Sequence, residues 1–296
     1  MPTSENNGDV IELIALPRMG KFNLFAAGQN ENIVTVWSFR EQRKISEFKT
    51  ILDFGGFRLA MPSYSDLIIS TGSWSRGVTS YTAEHGDILW SRSDLKNIQQ
   101  VCDLSNNGLP LIGIGLDSGS YHILRVDTGE DHFKLAGVKN IYASPFEPFY
   151  LLVDSTRHIH LSTLRLPSIW EHPFNSFGML HAAFSPEQIA FSEAGGCVSC
   201  FDFYGTKLWE FHPQADHHVL RLVWDIALQR WLAIDWNFKS GGTKHLFEID
   251  IEGTARPLMS LGNCQQAEFS SDGTYLIIST GKVISTQSAT TAWTFL

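Results

Sequence analysis

TAEHGDILW (Thr82–Trp90), VDTGEDHF (Val126–Phe133), LRLPSIW (Leu164–Trp170) and FDFYGTKLW (Phe201–Trp209) are four versions of one segment. Each joins one short apolar run to a second that closes on an aromatic residue, and the aromatic ends lie 43, 37 and 39 residues apart. In three of them Gly86, Gly129 and Gly205 stand four residues before the aromatic. A tight hairpin turn there needs a positive φ, which glycine adopts at the least cost. In the other, Leu166 and Pro167 occupy the turn. A hairpin that returns at a period near forty residues signals a repeat architecture.

Outward from these hairpins, runs of Ile, Val, Leu, Phe and Tyr alternate with Gly, Asn, Asp and Ser clusters, with almost no sustained 3.6-residue pattern, which is an all-β signal. The runs group in fours. VIELIALP, FNLFAAG, IVTVWSF and KISEFKT form the first group from Val10. Further groups begin near Phe57, Val101, Lys139, Met179, His217 and Cys264, separated by 38 to 47 residues. HAAFSPEQIAFS from His181 matches QAEFSSDGTYLIIS from Gln266 and, more loosely, YASPFEPFYLLV from Tyr142, each giving strand, polar turn, strand. One four-stranded sheet cannot cover both its faces, whereas stacking seven around a ring covers all of them. The expected fold is therefore a single seven-bladed β-propeller of residues 10–296, four antiparallel strands per blade, after a flexible N-terminus at 1–9. A pair of β-sandwiches would not explain the period, and β-helix coils are usually shorter. The first group supplies its own first strand, and TTAWTFL can complete the last blade.

On these residues the chain resembles the WD-repeat and quinoprotein-like propeller superfamily over nearly its whole length. The motifs are degenerate: the only Trp-Asp, Trp224–Asp225, lies near the start of a group, and Trp37 is followed by Ser38. The D-x-x-G-x-x-x-W pattern of Asp202 to Trp209 resembles the quinoprotein-like repeat, whose Trp packs between blades and implies no quinone. The commonest use of such propellers, docking a protein, is what the resemblance implies.

Composition bounds the function. Hydrophobic residues at 43% and charged residues at 18% suit a chain with a substantial core. Lys plus Arg at 22 against Asp plus Glu at 31 gives a net charge of −9, which disfavours nucleic acid and favours a partner with a basic surface. Cys102, Cys197, Cys200 and Cys264 are too few and scattered for a disulfide framework and read as thiols in a reducing compartment. With neither a secretory signal nor a membrane-spanning apolar run, the expectation is a cytoplasmic protein that does not enter a membrane.

No segment matches a nucleophile elbow, a P-loop or a zinc-protease helix. GIGLDSG from Gly113 and SGGTKH from Ser240 read as β-turns. Cys197 and Cys200 at an odd strand offset point to opposite faces; His158 and His160 share a face but lack a third ligand; His217 and His218 begin a blade. Neither a cofactor, a metal site nor a catalytic residue is read from the sequence. Glu12, Asp103, His181, Arg221 and Glu268 occupy first strands, which line a propeller's channel, and solvated polar lining is their ordinary role.

The loops between second and third strands share one rim. They carry Trp74 and Arg76 (GSWSRG), Arg157 (DSTRH), and Trp236, Phe238 and Lys239 (WNFKSGGT). Trp, Phe and Arg anchor interfaces because they bury large area at modest entropic cost. These six residues are the expected partner-binding set of a non-catalytic interaction or scaffold propeller. The alternative is an enzyme or small-molecule binder with its site at the channel mouth.

Overall fold

The computed structural model describes residues 11–18, 24–29, 32–51, 58–71, 77–146, 148–163, 168–173, 179–193, 196–237, 239 and 242–295. They form seven four-stranded antiparallel sheets, each made of four strands consecutive in the chain. The fold is an all-β, seven-bladed propeller. First strands of the blades begin at Ile11, Arg58, Ile98, Val138, Met179, His217 and Ala267. Blade one holds its own first strand (Ile11–Ala15), and the last strand, Thr290–Thr294, completes blade seven.

Closure comes from packing. Seven apolar clusters fill the seven gaps between successive blades, and the one between blades seven and one joins Ile14, Phe25 and Ala27 to Ile277, Val283 and Phe295. Phe25 meets Phe295 edge-on with ring centroids 4.9 Å apart. Second and third strands, covered on both faces, read as continuous apolar runs: five of the six residues of Leu111–Leu116 are buried. Outer fourth strands such as Asp131–Ala136 are mostly exposed, which is why their apolar signal is weak.

The recurring glycine has two causes. Gly129 has φ +72°, as the hairpin requires, and a Cβ there would lie 2.6 Å from the Trp90 ring of the preceding blade. Phe48 approaches Gly86, Trp170 approaches Gly205 and Trp209 approaches Gly253 in the same way. The aromatic that ends one blade thus rests on the glycine turn of the next. Asp202 supports its turn by accepting the N–H groups of Tyr204 at 2.9 Å and Thr206 at 2.8 Å, and Asp250 repeats this with Glu252 and Thr254. The D-x-x-G pattern is therefore a folding device, with the tryptophan as its inter-blade contact. The turn with Leu166 and Pro167 and the N-terminal residues 1–10 lie outside the described residues.

Candidate functional site: the channel mouth and its rim

Because the first strands run the same way along the ring axis, turns joining strands one to two and three to four share one end of the ring. The remaining connections share the other. At the first end a cavity of about 290 Å³ opens in the centre, lined among others by Arg18, Asp103, Tyr142, His181, Arg221 and Glu268. Four of the five positions expected to line the channel therefore meet there. The side chain of Glu12 lies outside the described residues.

The charged groups in this mouth are held by backbone groups or by one another. Asp103 accepts the backbone N–H of Arg18 at 3.0 Å, of Ser63 at 2.9 Å and of Ser105 at 2.9 Å, together with the Ser63 hydroxyl. The Arg18 guanidinium donates to the carbonyls of Asp103, Ser105 and Ser144. Blades one to four are joined through this knot. Across the cavity, Arg221 donates to Glu268 at 2.7 Å and links blades six and seven.

His181, between them, accepts the Leu222 N–H at Nδ1 (3.2 Å), which leaves its proton on Nε2. Burial, reinforced by the charge of Arg221, lowers its pKa to about 3. Burial likewise raises Tyr142 to about 12 and the Cys102 thiol to about 12. These three groups stay uncharged across the physiological range and serve as hydrogen-bonding surface.

The rim around this mouth is acidic and partly apolar. Its turns expose Asp66, Glu84 and Asp87 in blade two, Asp127 and Glu130 in blade three, Glu187 in blade five, and Asp250 and Glu252 in blade six. Arg40 is the exposed cation of those turns among the described residues. Tyr204 is 89% exposed at the tip of blade five, and Ile226, Leu228 and Ile251 are exposed on blade six.

The residues expected to bind a partner belong to the opposite rim. Arg157 is exposed there, in a left-handed turn conformation with φ +67°. Lys239 is exposed and paired to Asp216 at 2.8 Å. Trp236 is half-buried, its indole over Gly242 of its own loop. Trp74, Arg76 and Phe238 lie outside the described residues. The structure thus places Trp236 and Lys239 together on blade six and Arg157 on blade four.

Other sequence candidates resolve as follows. Cys200 is buried between blades five and six, and Cys197 is half-buried. His158 and His160 share a face at 6.2 Å between ring centroids, with His160 bonded to Asp154 at 2.9 Å. His217 does begin a blade, and it also contacts Asp235, a residue that sequence reasoning passed over. The available signal was a carboxylate inside the apolar run WLAIDW, since buried strands rarely carry an unpaired charge. Arg18 was missed because it sits in a turn.

Comparisons agree with the architecture. No family model matches the sequence, and no curated protein matches it significantly. Among solved structures, the fold is similar to that in the crystal structure of BamB from Moraxella catarrhalis, with a TM-score of 0.59 and 12% identity, covering 98% of this chain and 85% of that one. At that identity the likeness shows the fold alone. The chain thus shares the propeller fold. Among the described residues, no helix is long and apolar enough to cross a membrane.

Proposed function

We propose that this protein is a non-catalytic recognition propeller that docks a protein partner with a basic surface on one rim of the ring. The observation that carries the reading is the charge of the mouth end: exposed carboxylates on its turns, of which Asp127 is paired to Arg125 at 2.7 Å, outnumber the one exposed arginine of those turns among the described residues. Such a surface steers a basic partner and repels polyanions. Tyr204, Ile226, Leu228 and Ile251 add apolar area on two adjacent blades. Charged groups already held by the fold and pKa values displaced from neutrality favour recognition over proton transfer.

The rim expected from the sequence, with Trp74, Arg76, Arg157, Trp236, Phe238 and Lys239, remains the competing surface. Cross-linked capture from the native host at two salt concentrations separates them, using two variants confirmed folded by thermal melting. One is Glu84→Lys, Glu252→Lys, Tyr204→Ser; the other is Arg157→Ala, Trp236→Ala, Phe238→Ala. Loss of a salt-sensitive, stoichiometric partner with the first variant only is the expected result. Loss with the second only moves the interface to the opposite rim. No protein partner under any condition returns attention to small polar ligands in the mouth.

A further inference from the structure

At the opposite end of the ring, in the crevice between blades five and six, three neighbouring strands each deliver one metal-ligating side chain to the same spot. His217 opens the first strand of blade six (His217–Asp225), Asp235 lies near the end of the second (Arg230–Asn237), and His245 near the start of the third (Lys244–Ile249). Asp235 and His245 are direct cross-strand partners; His217 pairs with Asn237, two residues along from Asp235. The two-residue period of a strand therefore places all three on one face. One ligand atom from each lies within 4.8 Å of the others.

The environment of Asp235 is unusual for a structural carboxylate. It is 1% exposed, and its ion-pair partners among the described residues are two imidazoles. His217 Nδ1 bonds one carboxylate oxygen, while His245 Nδ1 and the His245 backbone N–H each lie 3.1 Å from the other. The imidazole rings stack with centroids 5.9 Å apart. The Asn237 amide holds His217 Nε2 at 2.8 Å, an outer contact of the kind that fixes ring orientation in metal sites. A buried carboxylate is stable when a cation faces it.

Access is built in. A cavity of about 640 Å³ opens onto both histidines, bounded also by Phe211, His212 and Met259. It leaves one side of the cluster open for a fourth ligand, such as water. Two imidazoles and one carboxylate suit Zn²⁺ or another first-row divalent ion, whereas Mg²⁺ and Ca²⁺ prefer oxygen alone. We infer that His217, Asp235 and His245 form a binding site for one divalent transition-metal ion, with Zn²⁺ as its natural probe. The site stands apart from the acidic rim and does not depend on it.

The test uses the full chain after chelator treatment and dialysis. Calorimetric titration with Zn²⁺, and the visible spectrum with Co²⁺, read stoichiometry and coordination. The expected result is one ion per chain, a Co²⁺ spectrum of low coordination number, and at least about 100-fold weaker binding in His245→Ala. His132→Ala removes an exposed imidazole elsewhere and leaves the affinity unchanged. Because Asp235 is buried and its variants risk misfolding, His245→Ala carries the test, with a thermal melt beside it. Absence of stoichiometric binding to the wild type overturns the assignment, and so does equal weakening by both histidine variants.

Discussion

Asp103 and Asp235 are carboxylates withdrawn from solvent at opposite ends of the same ring, and the protein satisfies them in different ways. Asp103 accepts three backbone N–H groups and a serine hydroxyl, and the arginine whose N–H it receives ties the same knot to blade four. Asp235 is more deeply buried, yet it is met by two imidazoles and a single backbone N–H. A carboxylate held by fixed donors from several blades is structural, because every donor is committed by the fold. One met by two imidazoles is faced by side chains that are themselves metal ligands.

This contrast is sharpest in stability. Asp103→Ala leaves three backbone N–H groups and a serine hydroxyl from three blades without their acceptor, so unfolding free energy in urea should fall by about 3 kcal/mol. A loss under about 1 kcal/mol would mean that the knot follows from blade packing and does not cause it.

The mouth should also be acid-sensitive through His181. Its folded pKa, about 3, lies below the unfolded value of 6.5, so between these values the unfolded chain takes up a proton that the folded chain refuses. Stability attributable to this residue is full above pH 6.5 and is lost as pH falls toward 3. At pH 5 the loss amounts to about 2 kcal/mol. His181→Phe should flatten the stability curve over that interval, and an unchanged slope would show that the imidazole is charged in place.

Asp235→Asn keeps the shape of its site and removes a charge that no arginine or lysine balances among the described residues. In chelator-treated protein it should cost about 1 kcal/mol, less than the loss at Asp103. Added Zn²⁺ should raise the melting temperature of the wild type and leave this variant where it was. If the metal-free penalty equals that at Asp103, the two carboxylates are structural alike and the contrast collapses. The smallest effect belongs to the rim: Glu84→Lys, Glu252→Lys, Tyr204→Ser alters exposed groups and should shift stability by no more than about 0.5 kcal/mol while abolishing partner capture.

The architecture was legible because its signals are local. Gly86, Gly129 and Gly205 before a terminal aromatic mark hairpins at a constant period, and four runs per period make a blade. The departures are informative too. Gly129 was read as a turn residue, but the Trp90 ring over it also excludes a Cβ, and that contact joins residues 39 positions apart in the chain. Trp236, expected in a loop, lies near the end of the second strand of blade six opposite Lys244, with its indole near Gly242.

By itself the sequence determined the number of blades, their strand order and the acidic balance, since each follows from periods and counts that a chain carries in one dimension. The tertiary structure alone decided which end of the ring gathers the carboxylates, that Arg18 knots four blades together, and that His217, Asp235 and His245 converge. Those outcomes depend on strand register and on the direction in which each strand runs. A shift of one residue in register would turn Asp235 to the other face of its sheet and dissolve the cluster without changing a letter of the sequence.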